Sequence, residues 1–192
     1  MSHSLLVTSS SDPFTRGLDY LYGVRSLALE PDMVDLMHDL ENRSRVCIWI
    51  GDHVEAINAR LAELLQACHQ CFHAYDQRSI QVIAVPLAQA FEIDGFCNLK
   101  TDPITLLLDV GRVVPEDWLA LLMHEYAHAH VGSPGHHQAF AEALSHLCLG
   151  LEIAPPIWEN DDMEAYLRFY PHYRPTLDHL AFWRGEGTGN VI

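Results

Sequence analysis

The stretch His124-Glu125-Tyr126-Ala127-His128, continued after a short gap by Gly132-Ser133-Pro134-Gly135-His136-His137-Gln138-Ala139-Phe140, decides how this chain is read. At 100° per residue the first two histidines lie about 40° apart on one helical face, one above the other. Imidazoles so placed both reach a single ion at about 2.0–2.1 Å. Glu125 stands one step from His124, within reach of a water on that ion without needing to ligate it. The pattern is that of metal-assisted hydrolysis with a carboxylate base.

Working outward, Pro115-Glu116-Asp117 reads as a helix start, with acids where the positive end of the dipole favours them. Trp118, Leu119, Leu121, Leu122, Met123 and Tyr126 supply an apolar body. The run 132–135 then breaks the helix, so the chain can fold back on itself. Ser133 is expected to cap a second helix over residues 134–149, closed by Gly150 and carrying His136 in its first turn. Before this hairpin, residues 79–85 and 96–100 read as strands and 104–110 as a buried one, with Asp94-Gly95 as a turn.

Further upstream, residues 31–41 have helical spacing, with Met33, Leu36, Met37 and Leu40 on one side. Residues 45–50 form an apolar, β-branched run expected as a strand. Asp52 is expected to cap a long amphipathic helix reaching Tyr75. Downstream, residues 161–169 read as helical and lead into an aromatic, proline-broken tail; Trp158, Phe169, Phe182 and Trp183 are expected as core or interface aromatics. This order predicts an α+β fold: one domain over 1–192, a small mixed sheet packed on the metal helix and its flanking helices. Residues 1–12 and 185–192 are expected to be loose ends.

The chain has 192 residues, 49% of them hydrophobic, which suits a globular core. Eleven basic residues face 26 acids, for a formal net charge of −15. Nucleic-acid binding needs a basic footprint, and none is visible. An anionic membrane surface is disfavoured for the same reason, and no apolar run is long enough to span a bilayer. Five cysteines, an odd number, with no secretory signal ahead of them, predict reduced thiols and a cytoplasmic setting. Cys68-His69-Gln70-Cys71 has half the spacing of a zinc site, but no second pair follows it, so a buried seam is expected. The glycine-rich tail has neither strand nor helix after it, which removes a phosphate-loop reading.

From about Ile104 to Leu149 the sequence resembles the HExxH zinc metallopeptidases (zincins) of the SprT/Spartan-like and related small groups. The matching pieces are Ile104-Thr105-Leu106-Leu107-Leu108, then Leu121 to Ala129, then Gly135 to Phe140. Those families place a third zinc histidine after a glycine or proline, with an aromatic four residues on; here these are His136 and Phe140. The resemblance implies zinc held by His124, His128 and His136, Glu125 as general base, and protein or peptide substrates. It departs from the metzincin spacing, since Gly132 falls at +4 and His136 at +8 after the second ligand. Spartan-type proteins act on proteins bound to DNA, which an acidic chain does not suit. His137 and Glu142 are alternative ligands, and Tyr166, Tyr170, His172 and Tyr173 are candidate donors to an oxyanion. Two other classes use the same residues: a zinc-stabilised interaction module and a metal hydrolase acting on something other than peptides.

Overall fold

A computed structural model describes residues 12–158 and 162–186. Its elements run α1 (Pro13–Arg25), α2 (Leu40–Gln70), β1 (Ile80–Ala84), β2 (Gly95–Asn98), β3 (Ile104–Leu108), α3 (Trp118–Val131), α4 (Gln138–Gly150), α5 (Met163–Leu167) and α6 (His179–Trp183). The protein is thus mixed α and β, as its alternation of patterns predicts. The three strands pair in the order β1-β3-β2, with β1 parallel to β3 and β2 antiparallel to it. Strand β3 is central and buried along Thr105–Leu108, while β2 lies at the edge. Helix α3 packs on β2 and β3, α2 on β1 and α3, and α4 on α3.

The first hundred residues depart most from the expectations. Residues 45–50 are not a strand but lie inside α2, a 31-residue helix. Its N-cap is Asp39, whose carboxylate accepts from the backbone N–H of Glu41 and Asn42. Asp52 therefore caps nothing; it lies in mid-helix and pairs with Arg16 at 2.8 Å. The helix stops at Gln70 rather than Tyr75. Of residues 31–41, Pro31–Met33 form a 3-10 turn and Leu40 and Glu41 open α2, while the chain between is non-helical and bridges to Leu87 through Val34. The Asp35 side chain takes the Met37 N–H, and the Arg43 guanidinium takes the Leu36 and Met37 carbonyls. Those side chains occupy the groups that a helix would have paired.

Helix α1, for which the sequence offers no clear periodicity, crosses α2 in close contact. A Cβ on Gly17 would collide with the Cys47 carbonyl, and one on Gly51 with the Pro13 carbonyl. The two glycines set how closely the backbones approach. Cys47 and Cys68 are buried on α2, and Cys148 on α4, so these thiols serve as core. Trp49, Trp118, Phe182 and Trp183 meet in edge-to-face contacts that close the far side of the core. Asp12 caps α1, and Glu186 pairs with Arg45 and Arg184, so those positions are tied down; residues 1–11 and 187–192 lie outside the described ones. Among the described residues no helix is long and apolar enough to cross a membrane.

Candidate metal centre

Helix α3 carries His124, Glu125 and His128, and its C-terminus is closed by Gly132 in the left-handed region. The turn after it runs four residues further than expected. Helix α4 begins at Gln138, with His137 at its cap, so His136 sits in the turn rather than in the first helical turn. The Ser133 hydroxyl, expected as the cap, instead bonds His137 Nε2 at 2.9 Å and the Gly135 N–H. That contact holds the bend over and leaves His136 pointing back at α3.

His124, His128 and His136 present one nitrogen each within 4.8 Å of one another, close enough to bind one metal ion. Nitrogens held at about 2.0–2.1 Å from a tetrahedral ion stand about 3.3 Å apart. His124 Nε2 and His136 Nε2 are at 3.1 Å. Both helical ligands are oriented from behind. His124 Nδ1–H donates to the Tyr170 carbonyl at 2.9 Å, and His128 Nδ1–H to the Ser133 carbonyl at 3.0 Å. Such bonds fix the tautomer and leave Nε2 as a lone pair facing the site. Phe140 of α4 underlies all three rings, with centroids 4.5 to 5.1 Å away.

Electrostatics favour neutral ligands. Burial lowers the pKa of His124 to about 3 and of His128 to about 4, outweighing the carbonyl bonds that oppose it. His136 is lowered too, first by burial and next by the charge of Arg168. Glu125 is 7% exposed, and burial raises its pKa to about 8. Among the described residues its carboxylate accepts no hydrogen bond. It faces the strand across from it, where a Cβ on Gly95 would lie 3.0 Å from both its Cγ and its Oε1. Glycine there makes the room that the carboxylate occupies.

These groups line a cleft of about 460 Å³ between α3, strand β2 and the segment after α5. Tyr173 opens onto it and donates to Asp94 Oδ2 at 2.8 Å. Of the four downstream candidates, Tyr173 alone lines the cleft; Tyr170 donates its hydroxyl to the Ala154 carbonyl and serves the site through its backbone. The other proposed ligands are elsewhere. His137 is exposed, bonded to Ser133, and Glu142 is exposed, bonded to Gln138. His130 stacks on Phe72 on the opposite side of α3. Phe169, expected as a core or interface aromatic, is 68% exposed at the rim of the cleft.

Sequence reasoning missed three contributors. The Tyr170 and Ser133 carbonyls are backbone groups, and no residue type announces them. Gly95 was visible only as half of a turn. No protein-family model matches the chain, and no curated protein or solved structure is significantly similar to it.

Proposed function

We propose that this protein is a zinc-dependent metallopeptidase acting on protein or peptide substrates. The observation that carries the reading is the placement of Glu125: a carboxylate without a hydrogen-bond partner among the described residues, lining the cleft on which three oriented histidines converge. A site that only tied two helices together would have no use for it, and would need a fourth protein ligand. The donor set fits zinc, since three neutral imidazole nitrogens suit a borderline cation and leave a position open. His124, His128 and His136 would hold the zinc, which would supply Lewis acidity toward water and a carbonyl oxygen.

The chain's own groups do the rest. Burial alone favours protonated Glu125, but a dication beside it would favour the ionised form. That carboxylate would accept the proton of the attacking water as the new C–O bond forms, then deliver it to the amine as the C–N bond breaks. Tyr173 keeps its phenolic proton, because burial and the Asp94 carboxylate raise its pKa. It can turn that proton from Asp94 to the carbonyl oxygen as charge develops there. Among the described residues strand β2 pairs only with β3, so its outer edge offers backbone groups to an extended peptide in the cleft.

The test joins metal content and turnover. Protein purified without added metal is expected to carry about one zinc per chain by plasma mass spectrometry, sharply reduced in His136→Ala. Glu125→Gln is expected to keep its zinc and lose at least about a hundredfold in hydrolysis of fluorescein-labelled casein. Wild-type protein that takes up no zinc, or a Glu125→Gln variant as fast as wild type, would overturn the reading.

A further inference from the structure

Basic groups are scarce in this chain, and most are spoken for. Seven arginines pair with carboxylates, and Arg43 binds the Leu36 and Met37 carbonyls. Among the described residues Arg78 and Arg168 make neither an ion pair nor a hydrogen bond through their guanidinium groups. Arg78 lies against Gly132 and does not line the cleft. Arg168 does, and the other formally charged groups on the wall are acids: Glu92, Asp94 and Glu125.

Arg168 is also held in register with the metal centre. It lies between Leu167, which is fully buried, and Tyr170, whose carbonyl orients His124. The exposed pair Arg168-Phe169 therefore projects from a segment anchored on both sides. An unpaired guanidinium beside an exposed phenyl ring, at the rim of a cleft whose other formally charged side chains are acids, is suited to one kind of group. A carboxylate with an apolar neighbour would bond the first and pack on the second.

We propose that Arg168 selects substrates by binding a carboxylate carried next to an apolar residue, either a peptide's free C-terminus or an acidic side chain. The proposal rests on reading the cleft as a peptide site, and it adds the substrate class. Phe169 supplies the apolar contact and Arg168 the charge-assisted hydrogen bonds. The acids Glu92 and Asp94 repel a carboxylate placed elsewhere along the wall, so the single cation also sets the direction in which a peptide lies.

The experiment is fluorescence anisotropy with the full-length zinc-loaded protein and three dansylated peptides. These are Ala-Leu-Ala-Leu-Ala as free acid, the same sequence as C-terminal amide, and the amide with its central Ala replaced by Glu. At least one carboxylate peptide is expected to bind about tenfold tighter than the neutral amide, as for one charge-assisted contact. Preference for the free acid identifies a C-terminal carboxylate, and preference for the Glu peptide an acidic side chain. Arg168→Gln is expected to abolish the preference with zinc content and melting temperature unchanged, and Arg168→Lys to restore part of it. Equal binding of all three peptides, binding of none, or a preference surviving in Arg168→Gln would overturn the proposal. Cleavage of the same peptides is scored separately. Selective binding without cleavage defeats the peptidase reading alone, and cleavage without selectivity defeats the role of Arg168 alone.

Discussion

His124 and His128 are buried imidazoles that hold their protons weakly, and protons compete with metal for the same nitrogen lone pairs. The folded-state pKa values, about 3 and about 4, lie below the ordinary 6.5. Between those values and pH 6.5 the folded site is neutral where an ordinary imidazole is charged. Zinc affinity is therefore expected to fall less than about tenfold from pH 7.5 to 5.5, whereas three ordinary imidazoles would lose about a thousandfold. Competition against a chromophoric chelator over that range measures it, and a thousandfold fall would show solvated, unperturbed ligands. The ligands themselves were readable in the sequence because spacing of four puts two side chains on one helical face whatever surrounds them. Their low pKa was not, since it comes from burial by the surrounding elements, against the opposing pull of the Tyr170 and Ser133 carbonyls.

At the scale of elements, the hairpin of α3 and α4 and the three strands follow local pattern closely. The N-terminal half does not. Residues 45–50 carry the β-branched character of a strand, yet Val46, Cys47 and Ile50 belong to a helical stripe that continues through Val54, Ile57 and Leu61. Packing against α1 and the sheet overrides the weak local preference. That packing hinges on Gly17 and Gly51. Glycine to alanine inside a helix ordinarily gains about 1 kcal/mol. Here Gly17→Ala is expected to lose about 2 kcal/mol or more, because a methyl group would have to push α1 off the Cys47 backbone. Urea unfolding reads the sign, and a gain in midpoint would show that the two helices are not in contact there.

Across the whole molecule one buried carboxylate joins parts distant in sequence. Asp109, just past β3, is fully buried and accepts from four donors. Its Oδ1 takes the Gly111 N–H and Trp183 Nε1–H, and its Oδ2 takes the Leu87 N–H and Arg112 Nε–H. The sheet end, the loop after β1 and helix α6 thus share one acceptor. Asp109→Asn preserves shape but turns an NH2 group toward two of those donors and strips Arg112 of its nearer counter-charge, leaving Asp94 at 3.7 Å. The expected cost is about 3–5 kcal/mol, read as a fall in melting temperature. A variant as stable as wild type would show that α6 is held by its aromatic packing alone.

What the amino-acid order determined by itself was whatever depends on spacing along one element. This covers the two helical histidines with Glu125 between them, the break after them, the strand patterns, and the acidic balance of charge. Tertiary structure alone decided which of several nearby groups face the cleft. His136 was chosen over His137 because the Ser133 hydroxyl holds His137 aside. Tyr173 was chosen over Tyr170 because the backbone of the latter is committed to His124. Arg168 and Phe169 became a pair at the rim because their neighbours Leu167 and Tyr170 are buried. Helical and strand periods are local and repeat within a few residues, so they are written in the sequence. The direction of a side chain in a loop is set by whatever packs behind it, which in this chain comes from elements tens of residues away.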